Sequence, residues 1–511
     1  MKKYRILLLI LIAVLAILYF RSCGDFDHMT ARQKGINVHN SYMRVPADAA
    51  VIIAADIGQL MTAVDYPTLR TSPLFQEKLA ESYQDNPPFT YIFSDPKGTG
   101  IDVNSRVTFY ISLGEDESEI YSNTIIPLAD VNLFAAAMEK IGLKDIQRHK
   151  SAQYAAIRPN TYVAWDDNSA SFFSTKEGLD TDKLLTSVFA DDQIKYFDTD
   201  QRYLQHLDTN NAEVLYWIDL DRYKKNPIIH TKKLNALDLK ILGDNIIYGA
   251  ASFGDGTVNL DMRFHFNKLL SPAIRDVLQG GMKTTMLNYL PDEQPSFLST
   301  FSLNIDGILK HLLSDSDIRL EARNSLVDYG LTLDDFSKAF TGQLLFAAFP
   351  ADVTDKGSAI FAAEIADPAR FQSIMKVLSD LNKIEQLNDN MYRSSMGVIP
   401  FFPLYATYND QKQRILIKDN YMFVSLDKRL IDQVIKGTTT PNHMTQYLSE
   451  RPPSALQMSA YATARYDQVK QASEKYSIKD FNIAYGDQHL TLHFNLIDAN
   501  RPALQQIVGL R

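Results

Sequence analysis

An internal repeat is the feature that most constrains how this chain of 511 residues folds. Residues 260–280 are echoed without a gap by residues 490–510, at a constant offset of 230 positions. A second stretch, 109–138, is echoed by 346–375 at an offset of 237. The matched pairs are Leu260 and Leu490, Phe264 and Phe494, Pro272 and Pro502, Phe109 and Phe346, Ala129 and Ala366, Asp130 and Asp367, Phe134 and Phe371, and Met138 and Met375. We interpret the chain as a tandem duplication with two cores, since single cores rarely exceed about 250–300 residues.

The composition is that of a folded globular protein, with 45% hydrophobic, 11% aromatic and 22% charged residues. The net charge is −9 and no long basic run is present. A sequence-independent phosphate-binding surface needs clustered Lys and Arg. Nucleic acid is therefore not an expected partner.

The N-terminus has the pattern of an export signal. Lys2, Lys3 and Arg5 precede an uninterrupted apolar run from Ile6 to Phe20. As a helix, this run would span about 22 Å, which is short of the ~30 Å hydrocarbon core of a bilayer. The pattern predicts that the chain leaves the cytoplasm.

Cys23, the single cysteine, stands directly after this run and is a lipidation candidate. A bacterial lipoprotein would be cleaved and lipidated there, although Arg21 occupies a position where such signals carry a small uncharged residue. The alternative is a short uncleaved membrane anchor that ends where Arg21 snorkels to the interface. Both interpretations place residues 24–511 outside the cytoplasm and predict the membrane as a partner, through the N-terminal segment or a lipid.

The repeat and the N-terminal pattern together predict four segments. Residues 1–22 are a signal peptide or short membrane anchor, and residues 23–44 are a polar tether. Residues 45–282 form the first repeat and residues 283–511 the second. The two glycines at 280–281 mark the expected hinge.

Strand patterns are followed by helix patterns in both halves. The apolar run Ala49–Ala55 predicts a buried strand, and Asp56 after it predicts a helix N-cap. The same unit recurs at 297–309, 214–223 and 456–466. In the copy at 297–309 either Asn304 or Asp306 is the expected cap.

Hairpins are predicted between these units. The predicted strand pairs and turns lie at 107–113 with 123–128, 344–349 with 359–365, and around 167–168, 419–420, 254–256 and 486–487. Helices that start at Asp130 and Asp367 follow two of the hairpins. Strands joined mainly by hairpins favour antiparallel sheets. The predicted fold class is α+β, a tandem duplication of an antiparallel-sheet domain with helices packed on one face.

Several short motifs resemble those of a known family. They are the Val45–Ala49 strand start with Asp56, the Gly100–Asp102 step, the Thr341–Leu344 strand and the Asp367–Phe371 helix start. The chain resembles the uncharacterised Bacteroidetes family filed as domain of unknown function 4836, over roughly residues 45–500. The resemblance implies an exported envelope protein, often a lipoprotein. It transfers no catalytic residue.

No catalytic, cofactor-binding or metal-binding residue is predicted. The ten histidines are scattered without HExxH spacing, and His265 and His493 are interpreted as strand surface positions. The short polar clusters are Asp219 with Asp221, Ser314–Asp317, Asn388–Asn390 and Asp95–Gly100. They lack EF-hand or Walker spacing and are interpreted as turns and helix caps.

The segment Val398–Tyr405 is apolar, aromatic and interrupted by two prolines. It predicts either an interaction surface or a segment packed between the two halves. The leading functional hypothesis is a non-enzymatic envelope protein that acts as a binding or scaffolding module, with an envelope protein as partner. The alternative is an extracytoplasmic enzyme or small-ligand receptor with a site between the two repeats.

Overall fold

The chain folds around long antiparallel β-sheets. The structure, a computed structural model, describes residues 45–46, 49–73, 75–77, 80, 87–113, 120–175, 185–186, 189, 212–225, 243–268, 270–281, 283–293, 295–312, 330–349, 358–394, 413–437, 456–461, 478–486 and 488–507. The described residues divide into two units. The first unit contains the chain up to Asn267 and again from Asp498 onward. The second unit comprises Lys268–Ile497. Residues 268–282 thus lie with the second unit, although the repeat pattern had assigned them to the first.

The first unit contains ten described strands. They are β1 (Ala49–Asp56), β2 (Arg106–Leu113), β3 (Ile120–Pro127), β4 (Gln147–His149), β5 (Ala152–Arg158), β6 (Thr161–Trp165), β7 (Ser169–Thr175), β8 (Val214–Asp219), β9 (Ile246–Gly254) and β10 (Thr257–His265). Their order across the sheet is β4-β5-β6-β7-β3-β2-β1-β8-β9-β10, and every neighbouring pair is antiparallel. Every residue of β1 is buried, because this strand lies inside the sheet and is covered on both faces.

The second unit also contains ten described strands. They are β11 (Phe297–Ser302), β12 (Phe340–Phe349), β13 (Ser358–Ile365), β14 (Ile384–Asn388), β15 (Met391–Ser394), β16 (Gln413–Lys418), β17 (Tyr421–Ser425), β18 (Leu456–Tyr461), β19 (Ile478–Gly486) and β20 (His489–Leu496). Their order is β14-β15-β16-β17-β13-β12-β11-β18-β19-β20, again antiparallel throughout. Strand for strand, this is the order of the first sheet.

Helices are placed between the strands of both units. Those of the first unit are α1 (Ile57–Val64), α2 (Tyr66–Thr71), α3 (Pro87–Ser94), α4 (Val131–Lys140), α5 (Leu220–Lys225) and, at the end of the chain, α11 (Ala503–Ile507). Those of the second are α6 (Leu270–Val277), α7 (Ile305–Leu312), α8 (Leu333–Ala339), α9 (Pro368–Asp380) and α10 (Lys428–Lys436). Short 3-10 helices span Lys97–Thr99 and Thr284–Tyr289. The fold class is therefore α+β, as the patterns predicted.

Helices cover both faces of the second sheet, so the prediction of helices on one face was wrong. On one face, α8 and α9 form a core with Phe361, Ile415 and Val424. On the opposite face, α10 and the Thr284–Tyr289 turn form a second core with Phe423. The two faces alternate along β17, whose residues are all buried. A strand buried on both faces is a continuous apolar run, and such a run does not reveal how many faces carry helices.

Polar caps fix the helix starts where the sequence placed them. Asp56 Oδ1 accepts from the amide of Gln59 at 2.9 Å, and Asp130 and Asp367 cap α4 and α9 in the same way. At α7 the cap is Asn304, whose Oδ1 accepts from an amide at 3.1 Å. Each capped amide would otherwise lack a partner in the first helical turn.

Candidate functional site

Three polar side chains lie together in the middle of the first sheet, on one face. They are Tyr110 on β2, Asn123 on β3 and Ser171 on β7, with 0%, 1% and 0% of their surface exposed. Tyr110 and Asn123 are register partners, and Asn123 is the partner of Phe173. Ser171 precedes Phe173 by two positions, so its side chain points to the same face.

The amide of Asn123 joins the three side chains. Its Nδ2 donates to the Tyr110 hydroxyl at 3.0 Å and lies 3.5 Å from the Ser171 hydroxyl. Its Oδ1 is buried and has no hydrogen-bond donor among the described residues. A buried acceptor left without a donor costs about 1–3 kcal/mol.

Aromatic rings surround this polar trio. The rings of Tyr110 and Tyr121 meet edge to face at 5.9 Å, and those of Tyr162 and Phe173 stack at 5.5 Å. The same apolar cluster includes the fully buried Leu185. The polar atoms are therefore held in an apolar, low-dielectric environment, where hydrogen bonds are strong and unpaired groups are costly.

The second sheet has apolar or small residues at the corresponding positions. Across β2, β3 and β7 the row reads Tyr110, Asn123 and Phe173, whereas across β12, β13 and β17 it reads Ala347, Ile360 and Ser425. Phe423 corresponds to Ser171 by strand order and register. The polar trio is thus specific to the first unit.

An amide, a phenol and a hydroxyl donate and accept hydrogen bonds, but none of them titrates near neutral pH when unperturbed. The trio therefore places hydrogen-bonding groups inside the core of the first unit. The sequence patterns did not predict this trio, although one signal was present. Asn is depleted in strands, and Asn123 falls on Ile360 at the repeat offset of 237.

A short turn covers the corresponding face of the second sheet. Thr285 and Tyr421 share a hydrogen bond of 2.8 Å, and the Tyr289 hydroxyl donates to Asp419 Oδ2 at 3.0 Å. The ammonium of Lys418 lies 5.6 Å from the centre of the Tyr289 ring. Burial, followed by the Asp419 hydrogen bond and charge, raises the pKa of Tyr289 to about 12. This turn therefore depends on a protonated phenol.

The residues considered as candidate sites in the sequence lie in different parts of the chain. Cys23, Ser314–Asp317 and Val398–Tyr405 lie outside the described residues. His265 is exposed on β10 in the first unit, and His493 is half-buried on β20 in the second. His493 Nε2 lies 3.0 Å from Asn495 Oδ1, whose amide in turn donates to the buried carboxylate of Asp480.

The acidic clusters in the described part of the chain are turns and caps, as predicted. Asp219 accepts from the amide of Asp221 and pairs with Arg222, both at 3.0 Å. Asn388 Oδ1 accepts from the amide of Asn390 at 3.0 Å, and Asp95 Oδ1 accepts from that of Gly98 at 3.2 Å. Within the described ranges no group of three or more His, Cys, Asp or Glu is placed to hold a metal ion. In the same ranges no helix is long and apolar enough to cross a membrane.

Comparisons with known proteins give little further information. No family model matches the chain, and no curated protein matches it either. Among solved structures, crystal form I of TP0453 is similar, with 11% identity and a TM-score of 0.28 over 48% of this chain and 88% of TP0453. Crystal form III gives 10% identity and a TM-score of 0.27 over the same shares. TM-scores this low carry no structural argument, and the family resemblance stays a prediction.

Proposed function

We propose that this protein is a membrane-tethered, extracytoplasmic envelope protein, built by tandem duplication, that acts as a binding or scaffolding module. The observation that carries the proposal is the identical order of ten described strands in the two units. Each unit by itself holds an antiparallel sheet of ten described strands. Rigid elements are the best supports for binding sites.

Matching local details support the duplication. The amides of Ala129 and Asp130 both donate to the Gly100 carbonyl, at 2.8 and 3.0 Å. The amides of Ala366 and Asp367 both donate to the Ala339 carbonyl, at 2.8 and 3.4 Å. In each case the aspartate then caps the helix that follows. Phe134 and Phe371 occupy the same helical position and are both buried.

The tether is supported by the sequence that precedes the folded units. The apolar run Ile6–Phe20 follows three basic residues, and Cys23 comes directly after it. Several acyl chains on Cys23, or a short apolar helix, would hold the units at a membrane surface.

The binding role is supported by the place where the two sheets differ. Features shared by both sheets maintain the fold, whereas the trio Tyr110, Asn123 and Ser171 occurs in the first sheet alone. It includes Asn123 Oδ1, which has no hydrogen-bond donor among the described residues. Local violations of folding rules are expected at functional sites.

The location is tested by protease treatment of cells that express the full chain. In spheroplasts we expect added protease to degrade the protein while a cytoplasmic control protein survives. A chain that stays intact until the inner membrane is lysed would refute the envelope location. Turnover of purified residues 24–511 against a broad hydrolase panel would refute the non-enzymatic role.

A second candidate function is a small-ligand receptor, in which the buried face around the polar trio would have to open to admit a ligand. Aromatic walls with a few converging polar groups are typical of small-molecule sites. The test is a thermal-shift screen of polar metabolites on the full chain and on the Asn123→Leu variant. A saturable stabilisation that the variant loses supports a receptor, and a stabilisation that the variant keeps places the ligand elsewhere.

A further inference from the structure

The last described segment of the chain, Asp498–Ile507, completes the first unit. The amide of Gly256, in the β9–β10 turn, donates to the Arg501 carbonyl at 2.8 Å, and Asp255 forms an isolated antiparallel bridge with Pro502. Gly256 has a φ of +59°, and a Cβ there would lie 2.4 Å from Cα of Ala499. A glycine is therefore required where the segment crosses this turn.

Helix α11 anchors the segment by burial. Ala503 and Leu504 are both 0% exposed, and the helix packs against α1 and β9. Gln506 is also buried, and its amide donates to the carbonyls of Asp498 and Arg501 at 2.6 and 2.9 Å. The side chain thereby holds the approach to the helix in a fixed turn.

In the second unit the corresponding place is filled by a helix from an earlier part of the chain. Helix α6 packs against α7, which follows β11 as α1 follows β1. The amide of Gln279 donates to the Ser302 carbonyl at 3.0 Å, and that of Asn304 to the Val277 carbonyl at 2.8 Å. Yet α6 follows β10, the last strand of the first sheet, and α11 follows β20, the last strand of the second.

We infer that the two units exchange their closing helices. The helix that follows β10 of the first sheet closes the second unit, and the helix that follows β20 of the second sheet closes the first unit. The segment Asp498–Ile507 is then the closing element of the first unit, and the first unit reaches its full stability only when this segment is in place. The segment 270–279 closes the second unit by packing against α7, as α11 packs against α1. The exchange of helices follows from the path of the chain and does not depend on the proposed binding role.

A disulfide trap tests the inference in the full chain. Cysteines replace Asp255 and Pro502 in a Cys23→Ala background, so the new pair contains the only two thiols. Residues paired in an antiparallel bridge have Cα atoms about 4.5–5.5 Å apart, within the range of a disulfide. The matched controls carry one new cysteine each.

We expect oxidation to give a cross-linked monomer that reduction reverses, with no product in either control. A cross-linked dimer would mean that the segment is exchanged between copies, and no cross-link would mean that it does not lie on the β9–β10 turn. Either result overturns the inference.

Hydrogen exchange on a single-site variant provides a readout that does not need the disulfide. In Leu504→Ala, amides of β1, α1 and β9 should exchange roughly tenfold faster or more, while those of β12, β13 and β17 keep their rates. Gln505→Ala is the matched control, because this neighbouring side chain is half-buried. Faster exchange confined to the second unit, or no change in the first, would refute the closing role.

Discussion

Replacement of Asn123 by Leu tests whether the polar trio exists for binding or for folding. The two side chains branch at the same carbon, so the change removes polarity, although leucine is larger and tetrahedral at that carbon. It removes the orphan Oδ1, which costs about 1–3 kcal/mol, and it also removes the 3.0 Å hydrogen bond to Tyr110, which contributes about 1 kcal/mol. We therefore expect the free energy of unfolding of the first unit to stay level or to rise by up to about 2 kcal/mol.

The chain offers a specific probe for this measurement. It contains two tryptophans, Trp165 and Trp217, and both lie in the first unit with 1% of their surface exposed. Equilibrium urea unfolding followed by tryptophan fluorescence therefore reports on the first unit. Asn123→Asp is the control, because a buried carboxylate should lower the unfolding free energy whatever the role of the amide.

The sign of the change decides the interpretation. A residue kept for folding loses stability when its hydrogen bonds are removed, whereas stabilising changes at functional sites typically reduce function. If Asn123→Leu lowers the unfolding free energy by more than about 2 kcal/mol, the amide is a structural element and the trio is not a binding site.

Three further predictions test the fold. Phe134→Ala and Phe371→Ala should each lower the unfolding free energy by about 3–5 kcal/mol in calorimetry, because both rings are buried at matching positions. A loss of stability in one unit alone would count against the duplication. Gly100→Ala should lower the unfolding free energy in urea by more than Gly142→Ala does. Both glycines have a positive φ, but only a Cβ at Gly100 would meet a backbone oxygen, at 2.2 Å. Equal losses of unfolding free energy would contradict this prediction. The pKa of Tyr289, raised to about 12, lies above its unfolded value, so its contribution to stability is complete below about pH 10 and lost as pH rises to about 12. Tyr289→Phe should flatten the unfolding free energy over that pH window, and an unchanged slope would refute the assignment.

Local features of this fold were predictable because neighbouring residues determine them. The N-caps Asp56, Asp130 and Asp367 bond to amides two or three positions away, so their role is visible in the sequence. The hairpins were predictable for the same reason, since their turn residues are adjacent to the strands they join. The α+β class followed from these elements together.

Features that depend on distant residues were not predictable. Helices on both faces of the second sheet follow from tertiary packing, and the apolar run of β17 is compatible with several arrangements. The placement of Asp498–Ile507 in the first unit joins residues more than two hundred positions apart. The polar trio depends on the register of three strands, although the mismatch of Asn123 with Ile360 was present in the repeat.

The measurement that tests the proposed tether most directly is the intact mass of the native protein extracted from membranes, beside a Cys23→Ala variant. We predict one of two results in the membrane fraction. Either the mass lacks residues 1–22 and carries acyl chains that the variant loses, or both proteins keep residues 1–22 as an anchor. A protein that lacks residues 1–22, carries no acyl chain and is recovered outside the membrane fraction would contradict the account.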